Sequence, residues 1–168
     1  MKRILQNGSS TVQWILGLGA VAVLGAVAYV FVVPAYHDYE VQNKVSEVFV
    51  SIDACRAEIA QIVRNTQAPV LSTSLFACDG GASAGAKISK YLKSIAVRSA
   101  GVITVTLDYH TLGELTPTTS TLTVVPLADA NTVLGSSDVR KPIFAWRCGS
   151  PQDGTTIPSR YLPSNCRG

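Results

Sequence analysis

From Val12 to Val33 the chain carries no charged side chain and a single strongly polar one, Gln13. As a helix rising about 1.5 Å per residue, such a stretch crosses the roughly 30 Å hydrocarbon layer of a bilayer. A cleavable secretory signal has a shorter apolar part ending at a small-residue site, whereas this one runs straight into Pro34, Tyr36 and Tyr39, so it reads as a retained anchor. The competing reading, a buried core helix of a soluble protein, is disfavoured by the span length. Lys2 and Arg3 precede the stretch, and Asp38 and Glu40 follow it. That bias places the N-terminus in the cytoplasm and everything after Pro34 outside.

Beyond Pro34 the apolar positions are Val41, Val45, Val48, Ile52, Cys55, Ile59 and Ile62, in alternating steps of four and three, the pattern of an amphipathic helix. Glu40, Lys44, Glu47, Asp53, Arg56, Glu58 and Arg64 occupy its other faces. Pro34 removes one backbone hydrogen bond inside this long helix, so a kink is expected there. The helix is expected to end by about Asn65, because Pro69 and a run of small and hydroxyl residues follow. Within the apolar half, Gly17, Gly19 and Gly25 lie among several alanines. Such small positions let helices approach closely in lipid or in a protein bundle, although they are also common in membrane helices generally.

After a connecting loop come β-rich runs at Tyr91 to Arg98, Val102 to Tyr109, Thr119 to Pro126 and Ile143 to Arg147, separated by Gly, Pro, Ser and Asn. In the second run Ile103, Val105 and Leu107 alternate with Val102, Thr104 and Thr106, as an antiparallel strand with one covered face requires. The expectation is an α+β chain with a long N-terminal helix, half transmembrane and half amphipathic, packed on a four-stranded antiparallel sheet. Its divisions are a basic leader or cytoplasmic segment at 1–11, a transmembrane half at 12–33, an amphipathic half at 34–65, a loop at 66–90, the sheet at 91–147 and a disulfide-bounded loop at 148–168.

An extracytoplasmic chain meets an oxidising compartment, where paired thiols persist. Cys55, Cys78, Cys148 and Cys166 allow three connectivities. The sequential one closes the two shortest loops and is the pairing expected here. None of the four cysteines has the close spacing of a structural zinc site, and His37 and His110 are distant from them in sequence.

No catalytic constellation stands out. His110 and Asp108 share a face if the second β run continues through them, with no nucleophile or oxyanion loop in attendance. No phosphate-binding glycine loop is present either, and no cofactor or small-molecule substrate is expected. Lys87, Lys90, Lys93 and Arg98 form a candidate basic surface near the first β run, but the formal net charge is only +3. Solvated surface charge is therefore the preferred reading over phosphate binding.

The segment Val33, Pro34, Ala35, Tyr36, His37, Asp38, Tyr39, followed by Val45, Ser46 and Glu47, resembles the proline-alanine-tyrosine stretch and following helix of the type IV pilin family, type IVa class. A second match lies at the other end, where Ala145, Trp146, Arg147, Cys148 and then Arg160, Tyr161, Leu162, Pro163, Ser164, Asn165, Cys166 resemble the family's disulfide-closed loop. The resemblance implies a non-enzymatic subunit that sits in the bacterial inner membrane with its head outside. It is then assembled by dedicated machinery into a helical filament serving adhesion, twitching motility or DNA uptake, with a host surface or DNA as further partners. It implies leader cleavage between Gly8 and Ser9, N-methylation of the new terminus, loosening of the helix around Gly25 during assembly, and an adhesive role for the Cys148 to Cys166 loop. The family's glutamate at the fifth mature position is replaced here by Gln13, and the apolar segment is about one helical turn longer than the family norm. A membrane-resident minor pilin or pseudopilin and a DNA-binding competence pilin are the alternatives.

Overall fold

The structure is a computed structural model that describes residues 7–78 and 89–168; of residues 7–15, 17, 32 and 34 it describes the backbone only. Helix α1 spans Asn7–Asn65. The chain divides into two compact units, one ending at Tyr39 and the other Glu40–Gly168.

In the first unit, every described side chain from Leu18 to Val33 is exposed. The most apolar window of α1 has a mean hydropathy of 2.3, and none of it is buried. None of the described residues of this unit covers that surface, and an exposed apolar surface of this extent marks a contact site.

In the second unit, the stripe Val41, Val45, Val48, Ile52, Cys55, Ile59 and Val63 is buried. The last anchor is Val63 rather than the expected Ile62, which is only partly covered. A step of four from Ile59 keeps the stripe on one side of the helix. Four strands follow: β1 Leu92–Val97, β2 Ile103–Leu107, β3 Thr121–Leu127 and β4 Ala145–Cys148. They pair antiparallel in chain order. The inward residues Ile95, Val97, Ile103, Val105, Leu107, Leu122 and Val124 form one core with the helix stripe. The other face carries Thr104 and Thr106, opposite Thr123 and Thr121.

Strand β2 stops at Leu107. Asp108 caps a single helical turn, α2 Tyr109–Leu112, its carboxylate accepting from the His110 N–H at 3.2 Å, and Gly113 ends the turn at φ +73°. His110 and Asp108 are thus cap and first turn rather than alternate strand positions, because an aspartate that satisfies an orphan helix N–H competes with the β ladder.

The far end of α1 is closed from a distance. The backbone N–H of Arg140, at φ +62°, donates to the Val63 carbonyl at 2.8 Å, and its Nε donates to Thr66 O at 3.4 Å. These bonds satisfy two of the carbonyls that a helix C-terminus and its following turn leave open.

Candidate functional site: the apolar stem and the disulfide-closed end of the head

Two features stand out among the described residues. The first is the bare apolar stem. Gly19 and Gly25 present open space where a Cβ would lie, so nothing in the chain's own structure requires glycine there. Gly8, Ser9, Gln13, Gly17 and Pro34 all fall within α1. Only the backbone is described for them, and α1 is assigned as helix through Pro34 without interruption. Residues 1–6, the start of the expected leader, lie outside the described residues.

The second feature is the C-terminal region. Cys148 is bonded to Cys166, with Cα atoms 4.6 Å apart, and Cys55 to Cys78, with Cα atoms 5.3 Å apart. All four are buried. The Cys55 bridge fastens the loop after α1 to the helix itself. The Cys148 bridge closes a segment with only single helical turns inside it, at Pro151–Asp153, Ser159–Tyr161 and Ser164–Cys166.

That segment is tied to β3 beyond the end of β4. Gly149 N donates to Thr123 O at 3.2 Å, and Thr156 N to Thr121 O at 2.8 Å. The backbone N–H groups of Thr121 and Thr123 donate to the hydroxyls of Thr156 and Thr155, each at 3.1 Å. The loop thereby takes over the edge that a longer fourth strand would have paired. Arg147 faces the same side as Val125, its cross-strand partner. Its guanidinium grips Asp153 through two bonds of 2.7 Å, and this fork raises the Arg147 pKa. Here β3 is buried continuously from Leu122 to Leu127, where an alternating strand would bury every second residue.

The closed segment is only half a surface. Ile157, Tyr161 and Leu162 are buried in the common core, while Gln152, Thr156, Arg160, Ser164 and Asn165 are exposed. A shallow cleft of about 290 Å³ opens between β4 and the chain end, lined by Leu127, Trp146, Arg147, Ser164, Asn165 and Arg167. On the helix side, Arg56 lies 5.8 Å from the Trp146 ring.

The basic residues near β1 are not brought together. Lys90 lies over the Tyr91 ring at 4.8 Å and Lys93 over Tyr109 at 5.9 Å, at the start of β1. Arg98 follows the strand's other end, about 16 Å away at the usual strand rise. Lys87 lies outside the described residues. Hydrogen bonding to Tyr91 holds the Lys90 pKa above its ordinary value. Among the described residues no group of His, Cys, Asp and Glu side chains is arranged to hold a metal ion.

Comparison with known proteins places these features. A family model described as pilin, a bacterial filament protein, matches residues 42–167, from the first turn of the buried helix stripe to the end of the closed segment. Fimbrial protein EcpC of Eikenella corrodens is 24% identical over 169 residues, covering 99% of this chain and 94% of that protein. The crystal structure of a type IV pilin from Pseudomonas aeruginosa strain Pa110594 superposes with a TM-score of 0.56 at 23% identity, over 76% of this chain and 97% of the other, and so shares the fold.

Proposed function

Because the chain belongs to the pilin family of bacterial filament proteins, we propose that it is a structural subunit held in the inner membrane by the first half of α1 and then withdrawn into a type IV pilus. The observation that carries this reading is the change of environment along one helix. The described side chains of residues 18–33 are apolar and exposed, while the stripe from Val41 to Val63 is sunk in the head. An uncovered apolar rod is costly in water and inexpensive in lipid or in a bundle of like helices. The head lies outside the cytoplasm, where its two disulfides persist. The exposed half of the Cys148 to Cys166 segment serves adhesion, with twitching motility and DNA uptake as the other roles open to such a filament.

Filaments sheared from cells and analysed by mass spectrometry test the reading. Peptides of this chain are expected in the filament fraction, with a mature N-terminus at Ser9. Filaments lacking the chain would refute it. A second reading, a membrane-resident minor pilin, is favoured by one specific residue. Gln13 stands where a carboxylate would pair with a neighbour's terminal amine, and a glutamine brings no charge to that contact. An uncut Met1 terminus, with the chain confined to membranes, is the result that selects it. DNA binding is the least supported role, since Lys90 and Lys93 stand well apart from Arg98.

A further inference from the structure

Aromatic residues bracket the bare half of α1. Tyr29, Tyr36 and Tyr39 are 73%, 66% and 61% exposed, so none of these rings is spent on packing against the described chain. Trp14 lies in the same helix, close to the start of the uncharged stretch from Val12 to Val33. Tyrosine and tryptophan gather at membrane–water interfaces, where the ring is shielded and its O–H or N–H reaches water. Two of them in one helix set its depth when their separation matches the thickness of the hydrocarbon layer.

Trp14 and Tyr36 are 22 residues apart, about 33 Å along a helix rising 1.5 Å per residue. The usual tilt of about 20° shortens this to about 31 Å, against a hydrocarbon layer of about 30 Å. The first acidic residue after the stretch, Asp38, then stands two positions beyond the outer edge.

Tyr29 would give a different register. It lies 15 residues from Trp14, about 22 Å, which is too short for the layer. An outer edge at Tyr29 would also leave Val30, Phe31 and Val33, all uncovered by the chain, in water. With the edge at Tyr36 those three side chains lie in lipid and Tyr29 is about 10 Å inside it. One hydroxyl under the interface is the smaller penalty beside three apolar side chains in water.

We propose that Trp14 and Tyr36 fix the depth of the membrane-held subunit in a phospholipid bilayer, Trp14 at the cytoplasmic interface and Tyr36, followed by Tyr39, at the outer one. The proposal rests on the membrane-anchored reading above. It puts residue 13 at the level of the inner headgroups. A polar side chain within the hydrocarbon needs a partner, whereas at that level the Gln13 amide is hydrated and needs none until the subunit leaves the lipid.

The test uses the full chain in phosphatidylcholine vesicles whose acyl chains carry bromine either near the headgroup or near the chain end, with tryptophan quenching as the readout. Trp14→Phe leaves Trp146 in the head and gives the background. The ratio of shallow to deep quenching is expected to exceed one for Trp14, and for Tyr36→Trp made in the Trp14→Phe chain. It is expected to fall below one for Tyr29→Trp in that same chain. A ratio below one for Trp14, a ratio above one for Tyr29→Trp, or loss of quenching at Tyr36→Trp alone would overturn the register and leave the membrane anchor standing. Absence of quenching at all three positions would instead remove the membrane reading, and this register with it.

Discussion

The side-chain amide of Gln42 donates to the backbone carbonyl of Leu162 at 3.0 Å, across 120 residues of chain. Arg167 Nε donates to the same oxygen at 3.0 Å. One carbonyl therefore joins the start of the buried helix stripe, the closed segment and the chain's last turn. The segment that offers Ser164 and Asn165 to the exterior is also the floor of the core, through Tyr161 and Leu162.

Replacing Gln42 by Ala is expected to cost about 1 kcal/mol, the net value of one such bond. Arg167 remains to satisfy the oxygen, so the fold should persist. Hydrogen exchange should quicken across 159–166 while β2 and β3 keep their protection.

The two disulfides close loops of similar size, with separations of 23 and 18 residues. The chain-entropy relation gives each about 3 kcal/mol and a difference of only about 0.2 kcal/mol between them. Urea unfolding of Cys55→Ser/Cys78→Ser and of Cys148→Ser/Cys166→Ser should show comparable losses. A much larger loss for the second pair would mean that Tyr161 and Leu162 leave the core together with the bridge.

The turn joining β1 to β2 contains two adjacent residues of positive φ, Ala100 at +62° and Gly101 at +79°. A Cβ on Gly101 would lie 2.7 Å from Cγ2 of Ile59, which is wholly buried. Gly101→Ala is expected to destabilise by about 1–3 kcal/mol through strain and overpacking. Ala100→Gly relieves a left-handed alanine but loosens the unfolded chain, so two effects of about 1 kcal/mol oppose one another. Thermal melts of the two variants should therefore differ clearly.

Hydrogen bonds from Lys141 and then from the Gly135 N–H hold the Asp138 carboxyl below its ordinary pKa, and the backbone N–H of Asn131 does the same for Asp129. A carboxylate with a lowered folded-state pKa adds stability that is present above its unfolded value near 4 and is lost as pH falls through the folded value. The melting temperature should hold between about pH 7 and pH 5 and then decline below about pH 4. Asp138→Asn should flatten part of that decline. The effect is small because the pair lies at the surface.

Local periodicity made the helix and the inner face of the sheet legible. The four-three spacing from Val41 to Ile59 and the alternation from Val102 to Leu107 each report a one-sided core, and the resemblance at Val33 to Tyr39 joined them into one architecture. Features set by partners distant in sequence were not legible in that way. Continuous burial of β3 depends on Thr155, Thr156 and Asp153 arriving from the closed segment. The α2 turn did carry a signal, an aspartate at Asp108 and a glycine at Gly113 bracketing four residues, the cap pair of a short helix. The grouping of Arg98 with Lys90 and Lys93 followed sequence proximity, and the length of β1 separates them.

The central claim is that the bare apolar half of α1 is covered by neighbouring copies once the subunit has left the lipid. A density map of the isolated filament at side-chain resolution measures this directly. The account predicts residues 18–33 in the filament interior, enclosed by the same segment of other copies, with each head outside. Filaments built without this chain, or with residues 18–33 facing solvent, would contradict it.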